Sequence, residues 1–178
     1  MLLGKKIQLK PRLVPFTLSI GVIILDQISK LLIARLVPPG RVVPVIGDFF
    51  RVIRVQNPAI AFSIGSGLAA GTQKALFGFL PLAVIAVLIL YYLFTRDELT
   101  GLQKWSFAAV IGGGLGNYVD RIFRPGGVLD FLDFKFYGIF GLERWPTFNL
   151  ADATVVVAGL LLLASFLLPA KAQTGETT

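Results

Sequence analysis

The sequence predicts an all-α membrane protein: four transmembrane helices with a small strand-bearing segment on one membrane face. The 178 residues are 55% hydrophobic and only 15% charged, whereas about a quarter of an ordinary soluble domain is charged. The apolar residues gather into blocks at about 13–37, 75–94, 105–120 and 151–168, with polar segments at 38–74 and 121–150 between them. Crossing hydrocarbon as a helix takes about 20 mostly apolar residues. The whole chain, 1–178, reads as a single integral membrane domain.

Composition narrows the chemistry. There are no cysteines and no histidines, so Ser-His and Cys-His nucleophiles are excluded and a zinc site lacks its usual ligands. No disulfide forms, and no cofactor is implied. Acid–base work falls to Asp, Glu, Lys or Tyr with shifted pKa values. The net charge of +7 lies beside apolar blocks, which points to membrane lipids rather than nucleic acid as the partner.

Lys5, Lys6, Lys10 and Arg12 precede the first block. The block is long for a signal-peptide core and has no small-residue cleavage site, so it reads as a retained helix with a cytoplasmic N-terminus. Asp26 and Lys30 form an i, i+4 pair on one face, placed near the outer end with Lys30 snorkelling to headgroups, or supporting a polar site between helices. Pro38, Pro39 and Gly40 stop the helix. From Arg41 to Gly67 loosely alternating Val, Ile and Phe, broken by Gly and Pro, predict short strands. An open sheet cannot cross lipid, so this segment lies at the surface, where Phe49, Phe50 and Phe62 suit the interface. Ala75–Phe94 is an uncharged scaffold helix ending in Tyr91 and Tyr92. The third block carries Gly112, Gly113, Gly114 and Gly116, which permit close helix packing. Asn117, Asp120 and Arg121 follow, the last two read as an ion pair. Asn149 is placed to cap the last helix, and Lys171–Thr178 reads as a disordered polar tail. Four spans put both termini in the cytoplasm and both longer polar segments on the outer face.

Asp130 and Asp152 stand where apolar runs meet polar ones, with no basic residue within four positions. Burial raises a carboxyl pKa, and a second carboxylate nearby raises one of the two further. Two acids sharing a proton can activate water and protonate a leaving amine. Spacing alone equally allows both to be helix-end or interfacial residues. Asp133 competes with Asp130, but lies closer to Lys135 and reads as solvated or paired.

Five blocks in order resemble the lipoprotein signal peptidase (signal peptidase II) family. They are Asp26-Gln27-Ile28-Ser29-Lys30, Asn57-Pro58-Ala59-Ile60-Ala61-Phe62-Ser63, Gly113-Gly114-Leu115-Gly116-Asn117-Tyr118-Val119-Asp120-Arg121, Val128-Leu129-Asp130-Phe131 and Phe148-Asn149-Leu150-Ala151-Asp152-Ala153. The resemblance implies a monomeric aspartic endopeptidase of the bacterial cytoplasmic (inner) membrane. It would remove the signal peptide from prolipoproteins before a diacylglyceryl-modified cysteine and be blocked by the cyclic peptide globomycin. It also implies catalytic roles for Asp130 and Asp152, and substrate-binding or site-shaping roles for Asp26, Lys30, Asn57, Asn117, Arg121 and Asn149. The outer segment matches an extracytoplasmic β-cradle, and part of Arg121–Phe148 a short mobile lid. Ala59 departs from the glycine usual at its position. Two other classes fit the composition. A small transporter or channel would use Asp26–Lys30 and Asp120–Arg121 to line a polar path, although no internal repeat is visible. In a structural membrane subunit, the acids would only orient helices.

Overall fold

The computed structural model describes residues 10–58, 70–95 and 98–168, without the side chains of 10–11 and 70–77. A helical turn, α1 (Lys10–Leu13), precedes α2 (Phe16–Leu36); then follow β1 (Val43–Ile46), β2 (Phe50–Asn57), α3 (Ala70–Phe94), α4 (Gly101–Phe123), β3 (Val128–Phe134), a 3-10 turn (Ile139–Gly141) and α5 (Leu150–Leu167). The expected Phe62 interface contact, the Ala59 departure and the Lys171–Thr178 tail lie outside the described residues.

Helix boundaries differ from expectation for local reasons. The third helix starts at Gly101, not 105, because Thr100 and Gln103 form a reciprocal capping box, and it runs on to Phe123 beyond Asp120. α3 begins at Ala70, ahead of its apolar run. α2 and α5 are long and apolar enough to cross a membrane, and Gly78–Phe94 of α3 is a shorter apolar stretch.

α4 is the central helix and packs against α2, α3 and α5. Its glycines make that possible. A Cβ on Gly113 would lie 2.6 Å from the Ala151 carbonyl oxygen, and one on Gly116 would lie 2.9 Å from Asp26 Oδ2. At one end Tyr92, Leu99 and Phe107 form a small buried cluster with Phe16 and Leu162. There the Tyr92 hydroxyl donates to the Arg12 carbonyl at 2.7 Å.

At the other end lies an antiparallel three-stranded sheet in the order β1–β2–β3. The first two strands fall in the segment expected to hold them. The third does not: it lies in 121–150, where no strand was expected, and Asp130 sits inside it. Beyond β3, residues 135–147 return as a hairpin closed by Phe136 N–H to the Glu143 carbonyl and Trp145 N–H to the Phe134 carbonyl. Of the two expectations for Asp133, solvated or paired, the structure shows the second, with partners other than the nearby Lys135. Asp133 is buried and bonded to Arg51 at 2.7 Å and Arg144 at 2.7 Å, while Lys135 reaches Asp48 at 2.8 Å.

Candidate active site

Three elements bring the expected acids together. β3 carries Asp130, and the first turn of α5 carries Asp152. The register Val55↔Asp130 and Asn57↔Val128 sets Asn57 diagonal to Asp130 across the sheet. Asn57 Nδ2 donates to Asp130 Oδ2 at 3.1 Å. Gly127, at φ 82°, turns the chain into β3 hard against the Asn57 carbonyl, a conformation that glycine alone adopts without strain.

Asn149 caps α5. Its side chain accepts from Asp152 N–H at 2.9 Å, and Asp152 Oδ2 accepts from the Asn149 N–H at 3.1 Å. The cap therefore fixes Asp152 as well as the helix start. The amide nitrogen of the same side chain reaches the other acid. Asn149 Nδ2 donates to Asp130 Oδ1 at 2.7 Å and to Asn117 Oδ1 at 3.0 Å. Asn117 Nδ2 in turn donates to Asp152 Oδ1 at 2.7 Å. Two asparagines thus join the two aspartates in one hydrogen-bonded group. Asp130 is buried, and its carboxyl is pushed up to about 6 by that burial first and by the Asp152 charge second, against the opposing bonds from Asn57 and Asn149.

Behind this group lies an ionic network. Lys30 is fully buried; its Nζ contacts Asp26 Oδ2 at 2.8 Å, Asp120 Oδ2 at 3.0 Å and Asn117 Oδ1 at 2.9 Å. It does not snorkel, because two carboxylates and an amide oxygen hold it between α2 and α4. Asp26 also accepts from the Ala151 N–H at 3.1 Å, tying α2 to the start of α5. Asp120 does not pair with its neighbour Arg121. Residues adjacent on a helix point about 100° apart, and Asp120 meets Lys30 and Arg124, the latter one turn on at 2.8 Å. Arg121 donates to the Asn117 carbonyl at 3.2 Å, within the field of Asp152, Asp130 and Asp120.

Two participants were not singled out from sequence. Gln27 Nε2 reaches Asp26 Oδ2, the Gly116 carbonyl and Asp120 Oδ1 at 3.0–3.1 Å; its polarity inside an apolar run was the available signal. Arg124 pairs with Asp120 at i, i+4, a spacing visible in the chain. Among the described residues no deeply buried side-chain polar atom lacks a partner, as expected where an unmet polar group costs on the order of 1–3 kcal/mol.

The sequence pattern described as Signal peptidase (SPase) II matches residues 18–168. The chain belongs to the signal peptidase II family. Within it, the lipoprotein signal peptidase of Treponema pallidum (strain Nichols) is 45% identical over 159 residues, 89% of this chain and 85% of its own length. The lipoprotein signal peptidase of Treponema denticola is 44% identical over 154 residues, 86% of this chain and 88% of its own. A solved bacterial membrane enzyme, determined by the in meso method at 2.3 Å resolution, superposes with a TM-score of 0.73 over 93% of this chain and 94% of its own. At 23% identity that likeness speaks for the fold.

Proposed function

We propose that this member of the signal peptidase II family is a membrane endopeptidase. It removes the signal peptide from prolipoproteins, cutting before a diacylglyceryl-modified cysteine, with Asp130 and Asp152 as the water-activating pair. The observation that carries the reading is the single amide-bridged group joining a buried Asp130, its carboxyl pushed up to about 6, to Asp152.

The reaction starts with Asp130 protonated and Asp152 ionised. Asp152 takes a proton from water as the water oxygen attacks the scissile carbonyl carbon. Asp130 gives its proton to the carbonyl oxygen, leaving a neutral tetrahedral diol. Asp152 then passes its proton to the leaving amine as the C–N bond breaks, and a diol hydroxyl returns a proton to Asp130. The products are the signal-peptide carboxylic acid and the free amino group of the lipidated cysteine. Asn117, Asn149 and Asn57 hold the carboxylate oxygens, and Asp26 with Lys30 holds Asn117. Arg121 is placed to meet substrate beside the pair.

In this reading the four long helices all span the inner membrane, with both termini cytoplasmic and the sheet at the outer face. A lipid-anchored substrate presents its scissile bond at that depth. The protein acts as a monomer, takes membrane lipids and prolipoproteins as partners, and is blocked by globomycin. The test is incubation of the purified protein in lipid vesicles with one prolipoprotein in two forms, diacylglyceryl-modified and unmodified, with products read by mass spectrometry. Cleavage of the modified form alone, before the cysteine, is expected; intact substrate in both reactions rejects the proposal.

A further inference from the structure

We infer that the hairpin beyond β3 is a second membrane attachment, an aromatic finger seated at the headgroup–acyl boundary of the leaflet that meets the sheet. Its tip presents Tyr137 and Phe140 to the outside, 64% and 87% exposed, with Ile139 also exposed. Both aromatic residues have left-handed backbones, φ 52° and 55°. Non-glycine residues with a bulky side chain rarely adopt that region. The hairpin nevertheless holds it, through Gly138 N–H to the Leu142 carbonyl at 3.0 Å and Gly141 N–H to the Gly138 carbonyl at 2.9 Å. In water this tip is unfavourable twice, through backbone strain and through exposed rings.

The occupant follows from continuity. A run of exposed apolar residues along the chain starts at Leu36, the last residue of membrane-length helix α2. It continues through Val42, Val45 and Ile46 to Phe49, whose carbonyl accepts the Lys135 N–H at the foot of the hairpin. The run leads along the chain from a span end to the foot of the finger, and the occupant that matches exposed apolar residues beside a span end is lipid. The foot suits that boundary: Arg51, Lys135 and Arg144 are matched by Asp48, Asp133 and Glu143. A cluster whose charges cancel is tolerated beside a low-dielectric layer, and aromatic side chains favour that layer. Because β3 joins the finger directly to Asp130, the finger would set the height of that carboxylate above the bilayer.

The inference stands apart from catalysis, and its test reads no cleavage. The full chain with Trp105→Phe, Trp145→Phe and Phe140→Trp carries one indole, at the tip. It is reconstituted in phosphatidylcholine–phosphatidylglycerol vesicles, with or without phosphatidylcholine brominated near the carbonyl end of its chains. Loss of emission on adding the brominated lipid, with little further loss to aqueous iodide, is expected. Quenching by iodide and none by brominated lipid overturns the inference, whatever soluble partner then covers the tip. The same readout on a chain with Trp105→Phe alone, which reports from Trp145 near the foot, repeats the test without altering the tip.

Discussion

At the scale of single residues, the protonation of Asp130 dominates. A carboxyl with a folded-state value of about 6, against the usual 3.8, binds a proton that the unfolded chain has released between those two pH values. The folded state is then the better proton binder, so stability falls as pH rises through that window, by an amount on the order of 1–3 kcal/mol. Unfolding in detergent should show that slope in the wild type and not in Asp130→Asn. The rate limb set by Asp130 should fall as pH rises through about 6 in the free enzyme. Asn57 donates to the ionised form, so Asn57→Ala should move the limb to higher pH. A downward move in the profile of kcat/KM would show that Asn57 acts otherwise. Lys30 is a different case: its three partners were placed around a cation, and Lys30→Met should cost about 3–5 kcal/mol because two buried carboxylates lose their counter-charge. The charged candidates were readable from the chain, but their partners were not. Proximity in sequence favours Asp120–Arg121, whereas the helical turn and the depth of Lys30 decide for Lys30 and Arg124.

At the scale of elements, the proposed catalysis would depend on how closely α4 approaches α5. Gly113→Ala puts a methyl 2.6 Å from the Ala151 carbonyl and 2.7 Å from Val155 Cγ2. The helices must separate at the turn that holds Asp152. A stability loss of about 1–3 kcal/mol and a marked drop in kcat are expected, measured against Gly159→Ala, where nothing lies within 4 Å of the added methyl. Equal behaviour of the two variants would remove the close approach from the explanation. The glycine run, the Asn149 cap and the first two strands could be read in advance. β3 could not: in Val128–Phe134 both faces mix apolar residues with an acid, Asp130 on one and Asp133 on the other. Each acid is buried by partners far away in sequence, so the alternation that marks a half-exposed strand is absent.

For the whole molecule, apolar content identified a membrane protein and the order of five blocks identified its family. Length and hydropathy mark two spans, α2 and α5, and the proposed count of four adds α3 and α4. α4 carries Gln103, Ser106, Asn117 and Asp120 as buried polar residues, so its apolar signal is diluted by the very groups it buries. Orientation can be measured directly because the chain has no cysteine. Glu143→Cys should react with an impermeant maleimide on intact spheroplasts, and Lys104→Cys only after permeabilisation. The reverse pattern would invert the topology and place the acid pair on the cytoplasmic side.

The chemistry itself is most directly tested by cleavage of a diacylglyceryl-modified prolipoprotein by purified wild type, Asp130→Asn and Asp152→Asn. Thermal unfolding of each in detergent confirms that it is folded. Both folded variants are predicted to lose cleavage while the wild type retains it. Turnover at the wild-type rate by either variant would take that carboxylate out of the reaction and contradict the paired-aspartate mechanism.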